Sequence, residues 1–413
     1  MPRIYYGWVI VLITFISSMT TAGIGGYGLS FFLIPMSEAL NVSRTEFSAI
    51  TVFRLISLPI IPIIGLFIDR KNGARIIMSL GGLAGGISLI MVSRVNTLIE
   101  FFLIFGVVFG FATTAIGGQL VGPAVLSKWF VKQRGRVMAI SAIGISGGGL
   151  VIAPLAGWLI QEFGWRMAWV ALGSTMLIAV VPISALFMRR QPEDMELLPD
   201  GATLTHAENE TPTEIEYSWS TKRALQTKAL WSLLLVQSLG LFSLMPVLFH
   251  QVAFMQDKGF SVQESTTIAT MLAGFAIIGK VIYGYFVEKY SIKMILGFCL
   301  IPAGLSLLLL INAKNLIYLY AYAIIHGITM GGFPPMMNVV WASYFGRANM
   351  GSIRGVTTPL GNIIGALSPL IAGWMWDSSG DYTLAFNFFV IAWILGGLTA
   401  LLTSPPRYSG SIN

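Results

Sequence analysis

The chain has 413 residues, of which 55% are hydrophobic and only 10% are charged. A soluble globular domain carries roughly 25% charged residues, so most of this chain is excluded from contact with water. Its single cysteine rules out an internal disulfide, and its net charge of +7 is explained by the loops described below rather than by a nucleic-acid partner.

Long apolar runs, separated by short polar breaks, predict twelve membrane-spanning helices. A helix that crosses about 30 Å of hydrocarbon needs roughly 20 apolar residues. In chain order the predicted spans are residues 7–35, 47–68, 75–92, 98–126, 137–161, 166–188, 229–255, 262–287, 292–312, 316–342, 353–376 and 382–403. The first run is too long for the core of a signal peptide, so we interpret it as a retained helix. The predicted fold class is an all-α polytopic membrane protein with twelve transmembrane helices in two pseudo-symmetric six-helix bundles.

One break is much longer than the others. Residues 189–228 are polar and hold eight of the 18 acidic residues. Such a segment cannot bury a core, so we interpret it as a linker. The predicted organisation is an N-terminal six-helix bundle (1–190), a cytoplasmic linker (191–228) and a C-terminal six-helix bundle (229–413).

Lysine and arginine are distributed unevenly between the two faces of the predicted helices. Of the 25 such residues, 18 lie on the side of the chain termini and five on the other side. The positive-inside rule therefore predicts that both termini are cytoplasmic, in a cell membrane. The two remaining cations, Arg54 and Lys280, lie within predicted spans.

Short motifs recur at equivalent places in the two halves. The second predicted helix ends in Gly-x-x-x-Asp-Arg and the eighth in Gly-x-x-x-Glu-Lys; these residues are Gly65, Asp69, Arg70, Gly284, Glu288 and Lys289. Arg134-Gly135, before the fifth helix, is matched by Arg354-Gly355, before the eleventh. Such repeats predict two similar halves with a substrate site near the middle of the membrane. We expect the paired acidic and basic residues to form gating contacts at the inner face.

The segment Gly65–Arg70 resembles the loop signature of the major facilitator superfamily. Within that family the chain is similar to the monocarboxylate and oxalate/formate carriers. The residues that carry this likeness are Tyr6-Gly7-Trp8, Lys128-Trp129-Phe130, Gly147-Gly148-Gly149, Gly164-Trp165-Arg166 and Tyr344-Phe345-Gly346-Arg347. The resemblance implies alternating access between two six-helix halves and the transport of a small organic anion.

The chain also departs from these relatives. Monocarboxylate carriers usually have an arginine in the eighth helix, where this chain has Lys280, and the animal members add an aspartate where it has Ala276. They also carry a lysine in the first helix, which here has no cation. Oxalate carriers add a lysine within the eleventh helix, which here has only Arg354 at its inner end. We therefore transfer no single relative's substrate.

The two cations within spans are the main candidates for substrate binding. Lys280 lies eight residues before Glu288, about 12 Å along the helix from the inner face, and Arg54 lies 15 residues before Asp69, about 22 Å from it. A charge at such depth is expensive and usually faces a cavity. We expect Lys280 to bind a substrate carboxylate and to carry a co-transported proton. Snorkelling to the headgroups is the alternative for both residues.

Polar side chains within the spans form a second group of candidates for substrate binding. These residues are Gln119, Asn338, Asn362, Tyr27 and Tyr283. Each could hydrogen-bond a substrate, or could instead join one helix to another.

The predicted function follows from these cations and from the lack of acidic residues in the middle of the predicted spans. No acidic residue falls in the middle of a predicted span, which argues against a membrane enzyme and for an anionic substrate. We predict a monomeric secondary transporter of monocarboxylates such as lactate or pyruvate, working by proton symport or anion exchange, with no cofactor or metal. An oxalate/formate-type antiporter and a carrier of sugars or drugs are the alternatives.

Overall fold

The computed structural model describes residues 5–68, 70–116, 121–130, 133–201, 219–287, 289–346 and 350–406. All regular secondary structure in these segments is helical, and ten helical runs are long and apolar enough to cross a membrane. The predicted all-α membrane class is confirmed. Asp69, Gln119 and Glu288, which carry predictions from the sequence, lie outside the described residues.

Among the described residues, nine helices follow single predicted spans. They are α1 (Gly7–Leu40), α3 (Gly73–Val92), α4 (Leu98–Trp129), α7 (Lys228–Asp257), α8 (Val262–Val287), α9 (Ile292–Ile311), α10 (Leu316–Phe345), α11 (Met350–Ser379) and α12 (Thr383–Leu402). Several extend a few residues beyond the predicted span, because polar residues in a terminal turn lie outside the apolar run.

The fifth and sixth predicted helices form one helical run, Arg134–Phe187. Within it Gly164 has φ 77° and ψ 163°, which is not helical. A positive φ is readily adopted only by glycine, so this residue divides the run into α5 (134–163) and α6 (165–187). The predicted pair of spans is therefore present, joined without a loop.

The second predicted helix is built from four short pieces and begins earlier than predicted. α2 (44–68) contains Arg44–Ser48, Ile50–Phe53, the 3₁₀ segment Arg54–Ile60 and Ile61–Ile68. Pro59 lies in the 3₁₀ segment, and proline cannot donate the backbone hydrogen bond that a regular α-helix requires. A hydropathy pattern does not register this change of helix type.

In the described part of the chain, three helices begin with the same capping box, in which a hydroxyl and a glutamate three residues later each accept a hydrogen bond from the other's backbone N–H. At α2 the Ser43 hydroxyl accepts from the Glu46 N–H at 3.1 Å and Glu46 accepts from the Ser43 N–H at 2.8 Å. Thr97 begins α4 and Ser261 begins α8 in the same way. These caps satisfy N–H groups that have no partner within the helix.

Contacts between residues divide the chain into two units. The first is Met1–Thr211 together with Leu248–Gly274, and the second is Pro212–Val247 together with Phe275–Asn413. The first unit therefore contains α1–α6 with the end of α7 and the start of α8. The division into 1–190, 191–228 and 229–413 stays a prediction.

Glycines allow helices to touch at the backbone in both units. In the first unit a Cβ at Gly148 of α5 would lie 2.3 Å from the carbonyl oxygen of Met19 in α1. In the second unit a Cβ at Gly279 of α8 would lie 2.0 Å from the carbonyl oxygen of Ile328 in α10. Real Cβ atoms do not come this close, so only glycine fits at these crossings.

Two glycines of α8 test this interpretation. We expect Gly279→Ala to lower the free energy of unfolding by about 1–3 kcal/mol, because the added methyl group meets the α10 backbone. Gly284→Ala is the matched control, since a Cβ added there would have no atom within 4 Å. It should leave the stability unchanged or raise it by up to about 1 kcal/mol. Unfolding of the purified protein in detergent measures both, and equal effects would contradict the proposed crossing.

Candidate functional site

Arg54 lies where three irregular helical segments occur in the first unit. It begins the 3₁₀ segment of α2, and its Nη1 donates to the carbonyl oxygen of Gly25 at 2.8 Å. Gly25 lies in a π-helical stretch of α1, Gly23–Gly28. The guanidinium carbon is 6.0 Å from the ring centre of Phe105, in the π-helical stretch Phe102–Phe109 of α4. π-helical turns are frequent at functional sites.

Gly25 makes room for the Arg54 guanidinium. A Cβ at Gly25 would lie 3.3 Å from Nη2 of Arg54 and 3.1 Å from the ring of Phe109. Any larger residue would press the guanidinium away from α1. Gly25 therefore acts as a positioning residue, which its place in a glycine-rich helix did not reveal.

The positive charge of Arg54 has no carboxylate partner among the described residues. The ion pairs found among the described residues are Arg44–Asp257 and Arg190–Asp194, and neither includes Arg54. Arg54 is half-buried in the membrane-spanning part of α2, where an unpaired charge is expensive. A bound anion would offset that cost.

Lys280 lies in the second unit, on α8. Its side chain is half-buried, and the residue before it, Gly279, lies against the backbone of α10. This crossing fixes the position of the Lys280 backbone relative to α10. Lys280 and Arg54 belong to different units.

Arg354 forms a polar cluster in the second unit that the sequence analysis missed. Its Nη1 donates to Oδ1 of Asn338 at 2.9 Å, and its Nε donates to Oγ1 of Thr358 at 3.1 Å. Both partners are neutral, Arg354 is half-buried and Asn338 is exposed. The spacing of four residues between Arg354 and Thr358 is a signal of contact on one helix face, whereas nothing in the sequence links Arg354 to Asn338.

The other predicted substrate residues differ in their surroundings. The Tyr283 hydroxyl donates to the carbonyl oxygen of Phe298 at 3.1 Å, so its polar atom joins α8 to α9. Tyr27 is buried, and its ring would lie 2.8 Å from a Cβ added at Gly149. Asn362 is half-buried in α11. The hydrogen bond of Tyr283 favours helix joining over substrate binding for that residue, whereas Asn338 lies beside a cation.

Two of the predicted gating residues, Arg70 and Lys289, each lie over an aromatic ring. Arg70 lies over the ring of Phe67, with its guanidinium carbon 4.5 Å from the ring centre. Lys289 lies over Tyr285 at 4.2 Å and hydrogen-bonds its hydroxyl. Gly65 lies in the last piece of α2, and a Cβ added at Gly284 would meet open space. A gating role for these residues stays a prediction.

The first unit contains a second cluster, which joins the end of α7 to the start of α2. Nη1 and Nη2 of Arg44 donate to the two carboxylate oxygens of Asp257 at 2.6 and 2.8 Å. Near this pair Ser48 lies 3.4 Å from Nε2 of His250, and the rings of Phe47 and Phe249 are 6.1 Å apart. In the sequence Arg44 is one of the five cations on the side opposite the termini, and nothing near it in the chain indicates Asp257 as its partner.

Helix dipoles explain why Arg44 and Asp257 benefit from each other. Arg44 begins α2, where the dipole of the helix is positive, and Asp257 ends α7, where it is negative. Each charge is therefore unfavourable at its own helix end. The bidentate pair, with side chains only 11% and 26% exposed, offsets both costs.

A charge-reversal cycle tests this pair. We expect Arg44→Glu and Asp257→Arg each to lower the stability of the protein in detergent, because like charges then face each other. The double variant should recover most of the loss, with a coupling energy of about 1–3 kcal/mol. Arg94→Glu, an exposed cation on the same predicted face, is the control and should have little effect. Additive losses in the double variant would contradict the pairing.

The comparisons with known proteins agree with this fold. The family model described as Major Facilitator Superfamily matches residues 10–266 and 230–413. Monocarboxylate transporter 12 of Xenopus laevis is 25% identical over 92% of this chain and 85% of its own length. Monocarboxylate transporter 13 of Rattus norvegicus is 23% identical over 98% of this chain and 90% of its own length.

A solved structure is similar over nearly the whole chain. It is a bacterial homologue of the human lysosomal transporter Spinster in an inward-facing, unoccupied conformation. The TM-score is 0.68, with 15% identity, and the match covers 98% of this chain and 96% of that one. At this identity the match concerns the fold alone. The family model and the monocarboxylate transporter relatives confirm the resemblance found in the sequence motifs.

Proposed function

The chain belongs to the Major Facilitator Superfamily, and on that basis we propose that it is a secondary transporter of small organic anions. Monocarboxylates such as lactate or pyruvate are the proposed substrates, because the similar proteins named above are monocarboxylate transporters. Those relatives are transporters, which argues against an enzymatic role.

The observation that carries this proposal is the environment of Arg54. Its guanidinium is held by a single carbonyl oxygen, beside an aromatic ring and without a carboxylate partner among the described residues. Arginine presents a planar fork of donors that matches a carboxylate. A small carboxylate would therefore supply the missing negative charge. Lys280 is the second proposed anion contact, on the other unit.

The proposed setting follows from the cation distribution. We place the protein in a cell membrane as a monomer with both termini cytoplasmic, because 18 of the 25 lysines and arginines then lie inside. The charged ends of α2 and α8 are then at the inner face, where we propose that they gate the substrate path.

Arg354 supports one alternative substrate class. The guanidinium of Arg354 donates to two neutral oxygens, those of Asn338 and Thr358, so the second unit also offers a positive charge to an anion such as oxalate. An oxalate/formate-type antiporter therefore remains the second candidate.

Transport by the purified protein in proteoliposomes tests the substrate class. We expect uptake of lactate or pyruvate, weaker uptake of oxalate and no uptake of glucose. Arg54→Gln and Lys280→Gln should each reduce uptake at least about tenfold, since losing one buried charge-assisted contact costs at least about 1.4 kcal/mol. Lys314→Gln removes an exposed loop charge and is the control.

Two outcomes would contradict the proposal. Uptake of glucose but of no organic acid would show that the substrate is not an organic anion. Normal lactate or pyruvate uptake by both Gln variants would be consistent with an organic-anion substrate but would show that Arg54 and Lys280 are not the anion contacts.

Coupling to protons is proposed to depend on Lys280. A lysine can release its proton, whereas arginine stays charged at every accessible pH. We expect Lys280→Arg to keep exchange of the anion across the membrane but to lose accumulation driven by a pH gradient. Counterflow and pH-driven uptake, measured on the same proteoliposomes, separate the two activities. Unchanged pH-driven accumulation in this variant would assign the proton to another group, whereas no pH-driven accumulation in the parent would favour anion exchange.

A further inference from the structure

A cavity of about 410 Å³ lies in the first unit, where the start of α3 meets the end of α6. It is separate from the surroundings of Arg54. Its lining residues are Asn72, Arg75, Ile76, Ser79, Leu80 and Ala185. The proposed transport activity uses none of them.

The lining is polar at one end and apolar at the other. Asn72 and Arg75 lie at the first turn of α3, followed along the same helix by Ile76 and Leu80. Ile76 is 52% exposed and Leu80 is 60% exposed. The exposed apolar surface continues to Leu83 and Ile87, as residues spaced by three and four along a membrane-spanning helix. The groove thus has a polar head and a long apolar track.

Arg75 has a structural role that accounts for only part of its guanidinium. Its Nε donates to the carbonyl oxygen of Ala185, in the last turn of α6. This bond caps a helix end whose carbonyls would otherwise lack partners. The two Nη groups of Arg75 have no hydrogen-bond partner within the described part of the chain, and they remain as donors for another acceptor.

The end of α6 is capped without those Nη groups. The Tyr6 hydroxyl donates to the carbonyl oxygen of Phe187 at 2.6 Å, and Nη1 of Arg189 donates to those of Leu186 and Met188 at 3.1 and 2.9 Å. These carbonyls therefore have hydrogen-bond donors without the two Nη groups of Arg75.

The groove lies in a region of positive charge. Burial raises the pKa of the Tyr6 hydroxyl, and the positive charges of Arg189 and Arg75 oppose that rise, so both cations lie near it. Lys71 is exposed at the start of α3. The carboxylate of Asp194, in the segment that follows α6, is paired with Arg190 at 2.8 Å. Among the described residues, an anion in the groove would meet the positive charge of Arg75, with Lys71 close to it in the sequence.

We propose that this groove binds an anionic phospholipid of the inner leaflet. The headgroup phosphate takes the Nη groups of Arg75, with Asn72 and Ser79 beside it, and one acyl chain lies along Ile76, Leu80 and the exposed face beyond. A basic pocket between transmembrane helices at the cytoplasmic side is a suitable binding site for such headgroups. Free phosphate would use the head of the groove but not the apolar track.

Lipid titration of the delipidated full-length protein by native mass spectrometry tests the proposal. The probes are palmitoyl-oleoyl phosphatidylglycerol, which is anionic, and the phosphatidylcholine with the same chains. We expect the parent to bind phosphatidylglycerol about fivefold more tightly, as one basic contact worth about 1 kcal/mol gives. Arg75→Gln should remove this preference and Arg75→Lys should keep part of it. Arg94→Gln, just beyond the opposite end of α3, is the matched control and should leave the preference unchanged.

A second variant separates lipid binding from capping of α6. Ile76→Trp fills the groove at an exposed position and leaves Arg75 in place, so it should weaken binding of both lipids without lowering stability in lipid-free detergent. A purely structural role for Arg75 predicts the reverse for Arg75→Gln: lower stability with the lipid preference intact. That result would overturn the proposal, and so would inorganic phosphate that displaces the bound phosphatidylglycerol.

Discussion

The cost of placing a charge or an unpaired polar group in hydrocarbon governs the whole structure. In the described residues it leaves helices as the only regular structure, since a helix satisfies its own backbone hydrogen bonds. Helix ends are completed by local side chains, as at Ser43 and Glu46, or by distant ones, as where Arg75 serves the end of α6. The same cost makes any cation that remains inside a span informative about function.

Helix contacts without a hydrophobic driving force depend on close approach. Glycine supplies that approach at Gly148 between α1 and α5 and at Gly279 between α8 and α10. At Gly25 the missing side chain leaves space for a guanidinium instead of for another helix. One residue type thus serves packing at some positions and a candidate site at another, and only its neighbours tell which.

Arg44, Arg75 and Arg54 use their positive charges in three different ways. Arg44 is neutralised by Asp257 and joins two helix ends, so its charge is used within the protein. Arg75 caps a helix end through its Nε and also lines an open groove. Arg54 faces a carbonyl and an aromatic ring and retains an uncompensated charge among the described residues. An anionic ligand is therefore expected at Arg54 and at Arg75 but not at Arg44.

The sequence by itself determined the membrane class, the helix order and the position of most spans, because these depend on the length and apolarity of local runs. The span 262–287 agrees with α8 residue by residue. The sequence did not reveal that α2 changes helix type at Arg54 or that α5 and α6 join at Gly164, because a change of backbone geometry leaves the hydropathy unchanged. Nor did it pair Arg44 with Asp257 or Arg354 with Asn338, which are 213 and 16 residues apart. Those contacts arise only when helices pack, since a side chain's partner depends on which helix faces it in space.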